Sequence, residues 1–223
     1  TCYGPAVSRI FASVIIVHGD DKGLKFPWEI APINVMIVPI EPENEKLKRK
    51  AESLKKEIEK FTDVEIDYSE KRPGEKFNYW EMKGIPIRID LGMKDLQKGT
   101  VTLFRRDLDK KEIVEDKNVT SRIKEISGEF TKNLIKKADI IFEGRIKNAG
   151  SLKEIKKSVE DGFIVKCGFC SVEKVGIECA ETIQKETGAE VRGTRLDEKS
   201  KISGKCVICG KLAKEIVYIA RSY

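Results

Sequence analysis

A chain of 223 residues accommodates one large domain or two to three small ones, and its 40% hydrophobic content supports packed cores. Charged residues make up 36% and aromatics only 7%, while 43 basic against 37 acidic side chains leave a mild excess of +6; that balance permits a nucleic-acid partner without requiring one. No apolar run approaches the ~20 residues of a membrane span, and IFASVIIV (10–17) is too short and lacks the flanks of a secretory signal, so the chain reads as soluble and cytoplasmic.

Residues 1–31 begin as strand, turn and helix, and SRIFASVIIVH is apolar nearly all round, the pattern of a helix buried in a larger domain. FPWEIAP breaks that pattern with two prolines and marks a boundary. INVMIVPI (33–40) is a continuous β-branched run, predicting a strand covered on both faces. In the lysine-rich segment that follows, Leu47, Ala51, Leu54, Ile58 and Phe61 step by threes and fours, an amphipathic helix. VEIDY alternates as a second strand. After the turn KRPGEK come a helical stretch (FNYWEMKG), a strand (IPIRIDLG), a helical turn (MKDLQKG) and another strand (TVTLFRRD). The alternation predicts a small α/β sheet, mostly parallel. From Asn118, apolar residues at 119, 123, 126, 130, 134, 138, 141 and 142 predict one long helix, weakened near Gly128. KNAGS reads as a linker, and LKEIKKSVEDG as the short helix opening the last module.

Of six cysteines, at 2, 167, 170, 179, 206 and 209, five cluster in the last quarter of the chain. A disulfide scaffold would spread its bridges through the fold, so the clustering points to metal. The spacing is C167-x2-C170-x8-C179-x26-C206-x2-C209, and CVICG has the form of a zinc knuckle, in which two thiolates converge on one tetrahedral ion. Spacing alone favours Cys167, Cys170, Cys206 and Cys209 as ligands.

Several stretches carry a family resemblance. CYGPAVSR, leading into a helix, resembles motif 3 of class II aminoacyl-tRNA synthetases, with Pro5 standing where relatives often carry another residue. The passage HGDDKGLKFPWEIAPINVMIVPI resembles the one that joins motif 3 to the anticodon-binding domain of prolyl-tRNA synthetases. RPGEKFNYWEMKGIPIRIDLGMKDLQKGTVTLFRRD is similar to that anticodon-binding domain. GFC, ECAETIQKETGAEVRG and the ending KEIVYIARSY resemble the zinc-binding C-terminal domain of the archaeal and eukaryotic-type enzymes, with Ser222 before Tyr223 where relatives have alanine.

The resemblance implies the end of a class II catalytic core (1–31), an α/β anticodon-binding domain (32–117), a long helix and linker (118–150) and a small α+β zinc-binding domain (151–223). It implies a proline–tRNA ligase that uses ATP and Mg²⁺ to form prolyl-adenylate from L-proline and then charges tRNA-Pro, as a homodimer. Arg9 is the expected catalytic residue on the ATP phosphates, where a permanently charged fork of donors suits phosphate oxygens, and Tyr3 and Gly4 would shape the pocket. Glu81, Arg88 and Asp95 fall on the anticodon-reading positions. The proline anticodon presents two guanines; a carboxylate can accept from N1 and N2, and an arginine can donate to O6 and N7. Without the resemblance these charges would read as an ordinary surface ion pair. Lys110 is a weaker candidate, Arg105 and Arg106 would touch phosphates or be solvated, and Phe77 and Trp80 would anchor the core or stack on a base.

For the metal, the resemblance implies Zn²⁺ on Cys170, Cys179, Cys206 and Cys209, although four extra residues separate the first two and leave Cys167 as a substitute. Tyr223 would direct its carboxylate toward the catalytic centre. His18 is expected to be structural, because adenylate formation rests on positioning and charge stabilisation. Class II motifs 1 and 2 do not occur in the chain, so it is expected to be the back part of a longer enzyme and inactive alone. A non-catalytic tRNA-binding protein derived from such a synthetase is the alternative. A zinc-ribbon DNA-binding protein would need a basic face near the cysteines, which the mixed-sign SVEKVGIECAE does not provide.

Overall fold

The run 33–40 is apolar throughout because both faces of its strand are covered. In the computed structural model, which describes residues 4–197 and 204–222, it forms β1 (Val35–Pro39), with all five residues buried. Val35 and Ile37 enter one cluster with Leu47, Leu54, Ile87, Ile89 and Phe130, whereas Met36 and Val38 enter another with Ile85, Phe77 and Trp80. Two helices supply the first cover: α2 (Glu45–Ile58), buried through Leu47, Ala51, Leu54 and Ile58, and α5 (Val119–Gly144), buried through Val119, Ile123, Ile126, Phe130 and Leu134. Asn44 caps α2 by accepting from the Lys46 N–H. The opposite face is covered by α3 (Pro73–Met82), which starts on a proline that pre-sets its first turn.

The sheet is completed by β2 (Val64–Ile66), β3 (Ile87–Leu91), β4 (Thr100–Arg105) and β5 (Lys110–Glu115), in the order β2-β1-β3-β4-β5. β1 pairs in parallel with β2 and β3, but β3–β4 and β4–β5 are antiparallel. The sheet is therefore mixed, with a larger antiparallel share than the sequence predicts. Only residues 92–99, mostly the short α4 (Met93–Lys98), join β3 to β4, and a parallel crossover needs about a dozen residues or more. β5 escapes sequence reading because KKEIVE is charge-dominated, with Ile113 72% exposed; its register comes from β4 through a tight turn in which Asp109 takes φ 53°.

Before β1, α1 (Val7–His18) forms as expected, but none of its residues is buried, and Val7 and Ile16 are 71% and 80% exposed. Gly128 does not interrupt α5.

By its contacts the chain divides into units at residues 1–138 and 139–223. The second unit contains β6 (Ile146–Asn148), α6 (Leu152–Glu160), β7 (Ile164–Phe169), α7 (Ile177–Thr187), β8 (Glu190–Gly193) and β9 (Glu215–Ala220). Its sheet order is β6-β7-β9-β8, parallel only between β6 and β7. The stretch KNAGS, read as a linker, instead starts inside β6, whose pairing with β7 gives these polar residues a place in the sheet. Ile155, Val159, Val165, Phe169, Ile183, Val217 and Ile219 fill the core.

Candidate functional site

On β3 the sequence IRID places Ile87 and Ile89 on the face packed by α2 and α5, and Arg88 and Asp90 on the other. Arg88 is only 2% exposed. Its Nε donates to Asp90 Oδ1 at 2.7 Å, and its Nη1 donates to Glu81 Oε1 at 2.8 Å and to the Phe77 carbonyl at 3.3 Å. The guanidinium packs against two rings, 4.0 Å from the centroid of Phe77 on α3 and 4.6 Å from that of Phe104 on β4. Phe104 reaches this position because the β3–β4 register sets it opposite Arg88. Lys111, opposite Phe104 on β5, brings its Nζ to 3.1 Å from Asp90 Oδ2 and lies over Phe77.

The structure thus brings Glu81 and Arg88 together as a largely buried pair, in place of the surface pair their charges alone suggest. Asp95 is half-buried in α4, beyond the end of β3 and beside Gly92. Among the described residues its carboxylate bonds to neither of the other two. Trp80 is held by an Nε1 bond to Asp67 Oδ2 at 2.7 Å, and Phe77 stacks on Arg88 as well as packing against the core. Lys110 is exposed on β5.

Arg105 and Arg106 are neither solvated nor free for phosphate. Arg105 forks onto Asp107 at 3.2 and 2.8 Å and reaches Glu129 at 3.2 Å. Arg106 is fully buried. It bonds both oxygens of Asp20, Asp109 Oδ1 at 2.8 Å, the Gly23 carbonyl at 3.2 Å and the Glu81 carbonyl at 3.4 Å. Lys25 joins the same cluster, 2.7 Å from Asp20 and 2.8 Å from Asp109. The hydrogen bonds from Arg106 hold the Asp20 carboxyl well below the usual carboxylate range. Two cations therefore neutralise two anions where the 18–24 run meets the end of α3. Gly23 fits there at φ 133°, because a Cβ would stand 2.3 Å from the Met82 Cα.

Arg9 is exposed on α1, and Gly4 is exposed with open space around it. His18 is half-buried at the end of α1, and burial lowers its pKa. Tyr3 and Tyr223 lie outside the described residues.

In the second unit, Cys170, Cys179, Cys206 and Cys209 place their sulfurs within 4.8 Å of one another. The Cys170 and Cys179 sulfurs are 3.7 Å apart. Four thiolates around one tetrahedral zinc at ~2.3 Å would stand ~3.8 Å apart, so the donor set fits that ion. Cys170 follows β7, Cys179 enters from the first turn of α7, and Cys206 and Cys209 flank a tight loop. That loop is closed by Cys206 N–H to the Lys211 carbonyl (2.8 Å) and Gly210 N–H to the Cys206 carbonyl (3.0 Å). Gly168 lets the loop approach, since a Cβ there would stand 3.0 Å from the Lys205 carbonyl oxygen. The Lys211 N–H lowers the Cys209 thiol to about 7, while burial raises those of Cys170 and Cys179, which a metal would have to deprotonate. Cys167 stays apart in the alternating buried row of β7, where burial pushes its thiol up to about 12.

Sequence reading missed Asp20, Asp90, Asp109 and Lys111. The pair at 88 and 90 carried a usable signal: two charges on one face of a strand whose other face is isoleucine.

Residues 34–126 match the family described as the anticodon binding domain, and residues 152–223 the family described as prolyl-tRNA synthetase, C-terminal. The proline–tRNA ligase of Thermofilum pendens is 41% identical over 232 residues, covering 100% of this chain and 47% of that protein. That of Oceanobacillus iheyensis is 41% identical over 216 residues, covering 97% and 44%. Among solved structures, the prolyl-tRNA synthetase of Cryptosporidium parvum complexed with L-proline and AMP superposes with a TM-score of 0.87 at 29% identity, covering 97% of this chain and 46% of its own. The Giardia lamblia enzyme in complex with prolyl-adenylate gives 0.87 at 29%, with 97% and 47% covered. The chain spans a little under half the length of the curated relatives it matches.

Proposed function

Since the chain belongs to the prolyl-tRNA synthetase family, we propose that it serves a proline–tRNA ligase, recognising tRNA-Pro by its anticodon. The enzyme would activate L-proline with ATP and Mg²⁺ to prolyl-adenylate and transfer it to tRNA-Pro, as a cytoplasmic homodimer. The observation that carries the reading is the buried Glu81–Arg88 pair on the α3-covered face of β3, within the stretch that matches the anticodon binding domain. A carboxylate and a guanidinium side by side supply the acceptor and the forked donor that a guanine's N1/N2 and O6/N7 edges require. Asp95 would complete the site from α4 as nucleotides cross the end of the sheet.

Arg9 would meet the ATP phosphates, assisted by Gly4 and Tyr3, and its exposure on an otherwise apolar, uncovered α1 supports a place in a larger catalytic domain. Cys170, Cys179, Cys206 and Cys209 would hold a structural zinc that ties β7, α7 and the 206–209 loop together. Tyr223 would reach toward the catalytic centre. The domain divisions suggested by the sequence, at about 31, 117 and 150, would carry these roles in order.

Filter binding with a panel of tRNAs tests the reading. Tight preference for tRNA-Pro is expected, and indifference among the tRNAs would overturn it.

A further inference from the structure

Glu81 and Arg88 bond to each other in the free chain. Reading a guanine exchanges that bond for bonds to the base, and Glu81 then turns toward N1 and N2. Arg88, 2% exposed, would be left without its counter-charge, and stripping a buried charge of its partner costs about 3–5 kcal/mol. Asp90 removes this penalty. It is 3% exposed, it lies two residues along the same strand face, and it holds the Nε edge of Arg88 at 2.7 Å. Phe77 and Phe104 pack their rings against the guanidinium, with centroids 4.0 and 4.6 Å from its carbon. The Nε edge is thereby held, and when Glu81 turns away Nη1 keeps only the Phe77 carbonyl at 3.3 Å and becomes available for recognition. The second oxygen of Asp90 makes no aligned hydrogen bond but faces Lys111 Nζ at 3.1 Å, so one carboxylate neutralises the arginine and draws a half-exposed lysine to the rim.

We propose that Asp90 is the positioning residue of the anticodon site: it compensates the charge of buried Arg88 and keeps its fork correctly turned while Glu81 changes partner from arginine to guanine. The proposal rests on the anticodon reading above. It predicts a loss of guanine discrimination, with no general loss of RNA binding.

The test measures fluorescence anisotropy of a labelled anticodon stem-loop bearing UGG, and of the same loop with both guanines replaced by adenine, against the full chain. Asp90→Asn should lower the guanine-to-adenine affinity ratio about tenfold, the scale of one good arginine–base contact. The adenine loop should bind as tightly as before or slightly tighter, since a negative charge is removed, and the melting temperature should show the fold intact. Asp90→Glu keeps the charge but moves it off the Nε edge; it should lower the ratio in the same direction, and it decides the matter if Asp90→Asn does not fold. Arg88→Met is the control. An unchanged ratio in folded Asp90→Asn, with the ratio lost in Arg88→Met, overturns the role of Asp90 and leaves the anticodon reading standing. An unchanged ratio in Arg88→Met overturns both.

Discussion

Asp20→Asn is a near-isosteric change that removes one charge from a four-membered cluster. Asp20 accepts from both terminal nitrogens of Arg106 and lies 2.7 Å from Lys25 Nζ. Charge-assisted hydrogen bonds contribute about 1.5–3 kcal/mol each, but the Asp20 side chain is one-third exposed and Asp109 remains to compensate both cations, which lowers the total. Arg106 itself is completely buried, so the residual positive charge cannot be solvated in place. A loss of about 2–4 kcal/mol follows, equivalent to roughly 10 °C in the midpoint for a unit of this size. Thermal unfolding followed by circular dichroism at neutral pH reads it directly. The double variant Asp20→Asn/Arg106→Met should lose less than the sum of its single changes, because the stranded charge is gone. A midpoint for Asp20→Asn within about 1 °C of the parent would refute the reasoning.

The same cluster sets an acid limit. The Asp20 carboxyl is depressed in the folded chain by Arg106, so its stabilisation is complete above the unfolded carboxylate value of about 3.9 and fades as pH falls below it. A midpoint that drops between about pH 4 and 2 in the parent, and more shallowly in Asp20→Asn, is expected from melts across that range. Gly23→Ala should cost about 2 kcal/mol or more by placing a methyl group on the Met82 backbone at φ 133°; denaturant titration checks it. Serine at 170, 179, 206 or 209 should abolish stoichiometric zinc in metal analysis of purified protein, whereas Cys167→Ser should retain it. Loss of zinc on Cys167→Ser with retention on Cys179→Ser would reverse the ligand assignment.

Where one residue type had one physical use, the sequence was easy to read. The unbroken run at β1 could only be a doubly covered strand, and the threes and fours of α2 could only be one helix face. β5 was illegible because its order comes from the register of β4, and an exposed edge strand needs no apolar alternation of its own. Arg105 and Arg106 are a similar case: Asp107 and Asp109 stand beside them in RRDLD, but Asp20 and Glu129 arrive from distant elements, and that closure of a buried network has no local signature. Cys179 rather than Cys167 lies with the other three sulfurs, since Cys167 shares its face of β7 with Val165 and Phe169, a fact invisible until β7 has a register. Arg88 with Asp90 was the opposite case, a same-face charge pair visible in four letters, IRID, whose meaning depends on the two rings brought over it.

Moving an anticodon from one tRNA to another tests the central claim most directly. The proline anticodon is placed in a tRNA of another specificity, the donor's anticodon is placed in tRNA-Pro, and the affinity of the full chain is measured for all four molecules. High affinity should travel with the two guanines, into the foreign tRNA and out of tRNA-Pro. Affinity that stays with the tRNA body whatever its anticodon would contradict a reading built on Glu81 and Arg88.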